Sequence, residues 1–304
     1  MSGTKHARPK GTQDFLPPDS NRLRWAEELF RRVAGRFGYQ EIITPMFEHA
    51  DVFVKGSGTT SDIVTKEMYR FTDRGERELV LRPEGTPGVI RAVVEAGLRL
   101  PARLCYTGSF FRYSRPQKGR YREFHQLGVE ALGEPGPETD AEVIFLGAEY
   151  FATLGVEDCR VLVNSIGCAS CRPDYRLKLV DYLGARRDAL CPDCVARLET
   201  NPLRVFDCKV ETCRAAVAEA PVPRAHLCPD CARHFDGVLA GLTARNQLFE
   251  VADRLVRGLD YYNRTAFEYV SDRIGAQDSL GGGGRYDSLV REFGGPETPS
   301  ESWA

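Results

Sequence analysis

No stretch of this chain approaches the roughly eighteen consecutive apolar residues that an ordinary membrane-spanning helix requires, which excludes a helical membrane protein. The opening Met1-Ser2-Gly3-Thr4-Lys5-His6 has no apolar core and does not read as a signal peptide. Net charge is nearly absent: 41 Lys and Arg against 43 Asp and Glu leave −2. Any nucleic-acid contact must therefore come from a local patch rather than a global field. The four glycines Gly281–Gly284 lack the lysine and hydroxyl that follow a Walker loop. Nor do they open a nucleotide-binding crossover in an evident β-α-β unit. There is no internal repeat beyond paired cysteines. The default expectation is a cytoplasmic protein.

What is present is a 304-residue chain, 42% hydrophobic and 28% charged, long enough for two domains or for one large domain with an insertion. Ten cysteines are many for a reducing compartment. Eight fall between Cys168 and Cys231, apart from Cys105 and Cys159, and such clustering suggests metal more than disulfides.

Helical spacing of Leu23, Ala26, Leu29, Phe30, Val33 and Phe37 predicts a helix capped by Asp19 or Ser20 and ended by Gly38. A strand is expected over Tyr39–Pro45, then a loop from Val52-Phe53 that holds Gly56, Gly58, Thr59, Thr60 and Ser61. Two strands flank an Asp73-Arg74-Gly75 turn, a helix is expected over Glu84–Leu98, and Leu104–Phe111 with Phe124–Leu132 read as a long hairpin. A helix over Asp140–Leu154 and a strand over Arg160–Ser165 follow. From Gly167 to about Ala240, cysteine pairs and charged helices replace alternating strands, and Phe249 restarts strand chemistry. The economical division is a β-rich core in two parts, 1–166 and 245–304, interrupted by a Cys-rich module at 167–244.

Three stretches carry candidate chemistry. Arg257-Gly258-Leu259-Asp260-Tyr261-Tyr262-Asn263-Arg264-Thr265-Ala266-Phe267-Glu268-Tyr269 packs charge and phenol groups into strand-like composition. Alternate residues of a strand share a face, so such groups can converge on one small ligand; a half-exposed strand rimmed by tyrosines is the plainer reading. Between Arg103 and His125, the basic residues Arg103, Arg112, Arg115, Lys118, Arg120 and Arg122 are opposed only by Glu123. Planar guanidinium forks suit phosphate. The same stretch also reads as a solvated basic hairpin, or as a single-strand RNA binder using Phe111, Tyr113, Tyr121 and Phe124. Gln126 and Glu130, four apart on a strand, share a face where they can orient a polar ligand. Glu84, at a strand-to-helix junction, is free to bind an ammonium group or simply to meet the helix dipole. The glycine run allows close approach of a ligand, or is a flexible turn.

Taken together these segments resemble histidyl-tRNA synthetase, a class II aminoacyl-tRNA synthetase, over almost the whole chain from Lys10-Gly11-Thr12-Gln13-Asp14 to Gly294-Gly295-Pro296. Phe111-Arg112-Tyr113-Ser114-Arg115-Pro116-Gln117-Lys118-Gly119-Arg120-Tyr121-Arg122-Glu123-Phe124-His125-Gln126 resembles the second class motif, and Arg257–Glu268 the histidine-specific motif. The resemblance implies an α+β fold: a mixed, mainly antiparallel sheet flanked by helices. It implies Glu84, Gly85, Thr86 and Gln126 at the amino and carboxylate end of histidine, Glu130 and Tyr262 at its imidazole, and Tyr261 lining the pocket. Arg112 would hold the ATP α-phosphate, Arg120 the distal phosphates, and Arg257 the α-phosphate from the opposite side, with Mg²⁺ on the leaving pyrophosphate. The helix at Leu23–Phe37 and the strand to Pro45 would build a homodimer interface, and tRNA(His) would be the second substrate. At Pro299-Ser300-Glu301-Ser302-Trp303-Ala304 the sequence departs from the family, which continues into a third motif and an anticodon-binding domain. This leads to the expectation of a C-terminally truncated product with an incomplete ATP site and weak or no aminoacylation.

Cys168-x2-Cys171 and Cys191-x2-Cys194, nineteen residues apart, fit a four-cysteine zinc pattern. Cys208-x4-Cys213 and Cys228-x2-Cys231 would form a second site, with pairing sequential or interleaved. Reduced structural cysteines are the alternative. His226 and His234 lie near the last pair, but eight cysteines already suffice. Two rival functions stand beside the enzyme. One is a catalytically silent synthetase-like subunit that senses histidine and regulates its biosynthesis. The other is a zinc-bearing RNA-binding protein, which would leave Glu84 and Tyr262 without a task.

Overall fold

A computed structural model describes residues 6–58, 61–117, 119–274 and 279–304. Thr59 and Thr60 of the expected glycine-rich loop and Lys118 of the basic hairpin lie outside the described residues. The chain opens with helix α1 (Asp19–Arg36), whose Leu29, Phe30, Val33 and Ala34 make one buried stripe. Its N-cap is Pro18 with no side-chain cap, so neither Asp19 nor Ser20 caps it; both already lie in the first turn. The helix stops at Gly38, where φ is +81°, a conformation glycine adopts without strain.

The expected strand over Tyr39–Pro45 is cut to β1 (Gln40–Glu41), followed by β2 (Phe47–His49) in a second sheet. Val52 and Phe53 begin no loop: they are buried in helix α2 (Ala50–Ser57). Their apolar pair packs on Val80, and that burial outweighs the loop propensity of the following glycines. Strands β3 (Tyr69–Thr72) and β4 (Glu78–Leu81) flank the expected turn. Helix α3 (Thr86–Ala96) starts after Glu84, leaving that carboxylate in the junction. The hairpin is β5 (Ala102–Phe111) and β6 (Glu123–Leu132). Next come α4 (Pro137–Leu154) and β7 (Arg160–Ser165). Four helices follow: α5 (Arg172–Gly184), α6 (Pro192–Thr200), α7 (Glu211–Ala216) and α8 (Pro229–Ala244). The chain closes with β8 (Phe249–Val251), β9 (Asn263–Val270), β10 (Ser279–Arg285), α9 (Leu289–Glu292) and β11 (Ser300–Trp303).

The main sheet has eight strands in the order β1-β5-β6-β11-β10-β9-β7-β8; a smaller one is β2-β4-β3. Among the described residues only the outer pairs β1/β5 and β7/β8 run parallel. The expected mixed, mainly antiparallel α+β fold is therefore observed. The last residues, read from sequence only as the point of departure, form a central strand: β11 fills the gap between β6 and β10. Its Trp303 is buried against Phe30, Tyr150, Phe151 and Tyr269, with ring centroids 5.7–5.9 Å apart.

Strand alternation sorts the two faces of the sheet. Val129 and Ala131 of β6 turn toward α1, α4 and α8, whereas Leu132 joins the cluster with Val89, Ile90, Tyr106 and Tyr286. The Cys-rich segment has a small core of its own, around Leu179, Leu183, Leu198 and Val205. Helix α8, inside the 167–244 stretch by composition, packs Phe235, Val238 and Leu242 into the main core instead. A buried charge cluster anchors it there: Asp140 of α4 accepts from His234 of α8 at 2.7 Å and pairs with Arg285 of β10.

Candidate active site

Between the β5–β6 hairpin, the loop before β9 and the glycines of β10 lies a cavity of ≈ 500 Å³, lined by Glu84, Thr86, Arg112, Arg120, Gln126, Arg257, Tyr261 and Tyr262. This volume suits a small ligand held by a few convergent polar groups. Arg112 and Arg257, far apart in sequence, thus face one space.

Each side chain has a local reason for its place. Arg112 follows β5, donates from Nε to the Pro83 carbonyl at 2.8 Å and lies 5.1 Å from the Phe124 ring centroid. Arg120 sits on the tight turn closed by the backbone pair Gln117/Arg120. Two other arginines of the hairpin are engaged elsewhere: Arg103 bonds Glu134 and Glu142, and Arg122 lies 3.9 Å over the Tyr113 ring. Arg103 and Arg122 thus do not join Arg112 and Arg120 at the cavity. Arg257, Tyr261 and Tyr262 come from the loop before β9, not from the strand itself, which begins only at Asn263. Their convergence is set by loop docking rather than by alternation along a strand. Arg257 lies 3.6 Å from Glu268 and 5.7 Å from the Tyr262 ring centroid. Its buried Nε has no hydrogen-bond partner among the described residues.

The glycine run is a strand, not a flexible turn. A Cβ on Gly282 would strike the Arg257 guanidinium and the Phe267 carbonyl; one on Gly283 would strike β11. The close approach that these glycines permit is of protein as well as of ligand.

The floor is built from carboxyl and phenol groups. Glu84 accepts from Ser57 in a short bond and from the Tyr261 hydroxyl at 2.9 Å. Burial raises its pKa, opposed by the Ser57 hydrogen bond and the Arg112 charge. Glu130 does not line the cavity. It is fully buried beneath it, accepting from Thr86 at 2.7 Å and from Tyr286. Burial pushes this carboxyl up to about 8. Gln126 reaches the Tyr106 hydroxyl at 3.4 Å. Gly85 lets the Tyr106 ring pass where any Cβ would collide. Ser57, Tyr106, Tyr286 and Glu268 were not singled out from sequence. Tyr286 stood beside the glycine run, but no sequence signal tied Ser57 or Tyr106 to the site.

The eight cysteines form two groups, Cys168/Cys171/Cys228/Cys231 and Cys191/Cys194/Cys208/Cys213, each with its sulfurs within 4.8 Å of one another. The pairing is nested, correcting both the sequential and the interleaved alternatives: the outer pairs close over the inner ones. Neighbouring sulfurs lie 3.9 Å apart in Cys168–Cys171, Cys168–Cys228, Cys171–Cys231 and Cys191–Cys208. Tetrahedral zinc with bonds of about 2.3 Å needs sulfurs about 3.8 Å apart, so both groups fit that ion. His226 and His234 belong to neither group.

An antiparallel sheet carrying paired arginines on a hairpin and a facing loop over an acidic pocket defines the catalytic core of a class II aminoacyl-tRNA synthetase. The histidyl-tRNA synthetase family model matches residues 11–171. A histidine–tRNA ligase of Moorella thermoacetica is 53% identical over 96% of this chain and 70% of that protein. The apo S. aureus histidyl-tRNA synthetase structure matches with a TM-score of 0.79 at 33% identity, covering 98% of this chain and 70% of that one. This chain belongs to the histidyl-tRNA synthetase family. A Bacillus halodurans structure, titled an ATP phosphoribosyltransferase regulatory subunit/histidyl-tRNA synthetase, shares the fold at 24% identity, with a TM-score of 0.67 and coverage of 99% and 81%. Among the described residues, no helix is long and apolar enough to cross a membrane.

Proposed function

We propose that this protein activates L-histidine with ATP to histidyl-adenylate and transfers the histidyl group to tRNA(His). A carboxylate oxygen of histidine attacks the α-phosphorus, the bond to the β-phosphate breaks, and pyrophosphate leaves. A terminal ribose hydroxyl of the tRNA then attacks the adenylate carbonyl and releases AMP. Arg112 and Arg257, from opposite sides, stabilise the charge that grows on the α-phosphate oxygens, and Arg120 holds the distal phosphates. Glu84, Thr86 and Gln126, with Gly85 between the first two, hold the amino and carboxylate end. Tyr262 reads the ring, Glu130 acts on it from beneath the cavity through Thr86 and Tyr286, and Tyr261 lines the pocket. Glu268 is the cavity carboxylate nearest Arg257. A lone carboxylate fits Mg²⁺, which keeps its waters and binds mainly through phosphate; the ion would neutralise charge on pyrophosphate. The two cysteine groups hold structural zinc, and residues 167–244 act as a module over the site. Exposed Trp25, Ile43, Met46 and Phe47 support a homodimer.

The observation that carries this reading is one cavity lined by Arg112 and Arg257 together with Glu84, Thr86 and Tyr262. A silent histidine sensor would have no need for opposed guanidinium groups at a phosphate site. Arg257→Ala is expected to abolish histidine-dependent pyrophosphate exchange with only a modest loss of histidine affinity by calorimetry. Equal loss of both would remove Arg257 from the phosphate.

A further inference from the structure

The inner cysteine group brackets a docking segment. Cys191 and Cys194 stand at the start of α6, and Cys208 follows the short helical turn Pro202–Val205. Between Cys194 and Cys208 lie residues of this module that grip the catalytic loop. Arg204 donates from Nη1 to the Gly258 carbonyl at 2.6 Å, next to Arg257. Asn201 donates to Asp260 at 2.7 Å, next to Tyr261. Arg197 and Arg204 both reach Asp62 Oδ2, at 3.2 and 3.4 Å, and Arg197 also holds the Arg204 carbonyl at 3.2 Å. Leu203 and Phe206 pack against both the module's core and the cluster that contains Val256, Tyr261 and Tyr262.

Leu198 and Val205 anchor this segment in the module's small core, and its remaining freedom is removed only if its ends are fixed as well. Its fourfold grip on Gly258, Asp260, Asp62 and the Tyr261 cluster otherwise carries the ordering entropy of every residue in it. A metal bound at Cys191/Cys194 and Cys208/Cys213 pins both ends at once, as a cross-link closes a loop. All four positions are cysteine, with Cys194 and Cys213 fully buried, a complete ligand set that suits structural zinc.

We propose that the inner four-cysteine site is a zinc staple for the catalytic loop. It fixes residues 195–207 so that Arg204 and Asn201 hold 257–262 with Arg257 aimed into the cavity. Arg204 and Asn201 are positioning residues: they act on the reaction through the loop. The proposal rests on the zinc and adenylation readings above, but the loop's order can be measured without either turnover or substrate.

The experiment uses the whole 304-residue chain purified without chelator. Metal analysis is expected to give two zinc ions per chain, falling to one in the double variant Cys194→Ser/Cys213→Ser. Hydrogen exchange of the 257–262 amides is expected to accelerate at least tenfold in that variant, with the β5–β6 hairpin unchanged. Arg204→Ala keeps the zinc count at two and shows the same local acceleration, so it answers the question even if the cysteine variant does not fold. In pyrophosphate exchange it lowers kcat on the order of tenfold with little change in KM for histidine, as expected when a group is misplaced rather than removed; Arg204→Lys restores part of the loss. Unchanged exchange at 257–262 in Arg204→Ala, or after loss of the inner zinc, overturns the staple. Absence of turnover in the unaltered chain, with the exchange effect intact, counts against the adenylation reading alone.

Discussion

Glu130 shows how one side chain can be tuned by its surroundings. Burial raises its pKa to about 8, while hydrogen bonds from Tyr286 and Thr86 pull the other way. The folded protein therefore holds a proton that the unfolded chain releases near the ordinary carboxylate value. The resulting cost is absent below that value, grows as pH rises, and is complete above about 8. Glu130→Gln is expected to flatten this fall in stability between pH 5 and 9, seen in urea titrations, and to stabilise the ligand-free protein only at the alkaline end. If Glu130 acts on the imidazole from beneath the cavity, the same variant loses histidine binding by about 1–3 kcal/mol, the scale of a polar contact left unpaired. Gly282 is the second case. Its Cβ position is taken by the Arg257 guanidinium and the Phe267 carbonyl, so Gly282→Ala is expected to lower pyrophosphate exchange nearly as far as Arg257→Ala and to lower the thermal midpoint as well. A normal rate in Gly282→Ala would mean that Arg257 has room to work elsewhere. Such residues were legible unevenly. Arg112 and Tyr262 stood in long motifs, and Glu84 at a strand-to-helix junction. Ser57 and Tyr106 did not, because their roles arise from helix α2 and strand β5 packing against the pocket, which no local pattern records.

At the scale of the element, β11 is the instructive strand. It sits mid-sheet, yet Glu301 is fully buried, and neither carboxylate oxygen has a hydrogen-bond partner among the described residues. Its nearest cation, Arg285 at 3.9 Å, is already committed to Asp140. Burial, with Asp140 adding to it, raises the Glu301 pKa well above the ordinary value, so this strand too loses stability as pH rises. Glu301→Leu, near in volume, removes the unpaired group and is expected to stabilise by about 1–3 kcal/mol, most above neutral pH, read as a shift in urea midpoint at constant m. A midpoint unmoved at pH 8 would mean that the carboxyl finds water. No rule of alternation would place an acidic residue on the buried face of a central strand, which is why this element was missed. The hairpin and α4 were legible because their apolar periods are long and agree with their packing. Helix α2 was not: Gly56 and Gly58 argue for a loop, and only the tertiary burial of Val52 and Phe53 decides for a helix. The Arg257 segment failed in the opposite sense, since its composition suits a strand but its first six residues dock as loop against Leu203 and Phe206.

For the whole molecule, the question is what surface lies outside the site and what it is for. Trp25 of α1 is 47% exposed, and Ile43, Met46 and Phe47, between and within β1 and β2, are 86%, 55% and 56% exposed. Large apolar groups gathered on neighbouring elements favour association, and a net charge of −2 gives little repulsion against it. The same elements brace the catalytic hairpin from behind. Arg31 of α1 bonds both Glu41 of β1 and Thr107 of β5, and Glu27 lies 3.3 Å from His125 of β6. A partner seated on α1 and the β1–β2 segment would therefore stiffen the strands that carry Arg112 and Arg120, while the loop with Arg257 is held from the other side by Arg204. Sedimentation is expected to give a dimer of the 33.9 kDa chain, and Trp25→Glu with Ile43→Asp a folded monomer. Because Glu84, Thr86 and Tyr262 do not rest on α1, the monomer should keep its histidine affinity and lose adenylate formation. Equal loss of both would mean that dimerisation sustains the fold rather than the hairpin, and a monomeric unaltered chain would leave those exposed side chains to another partner.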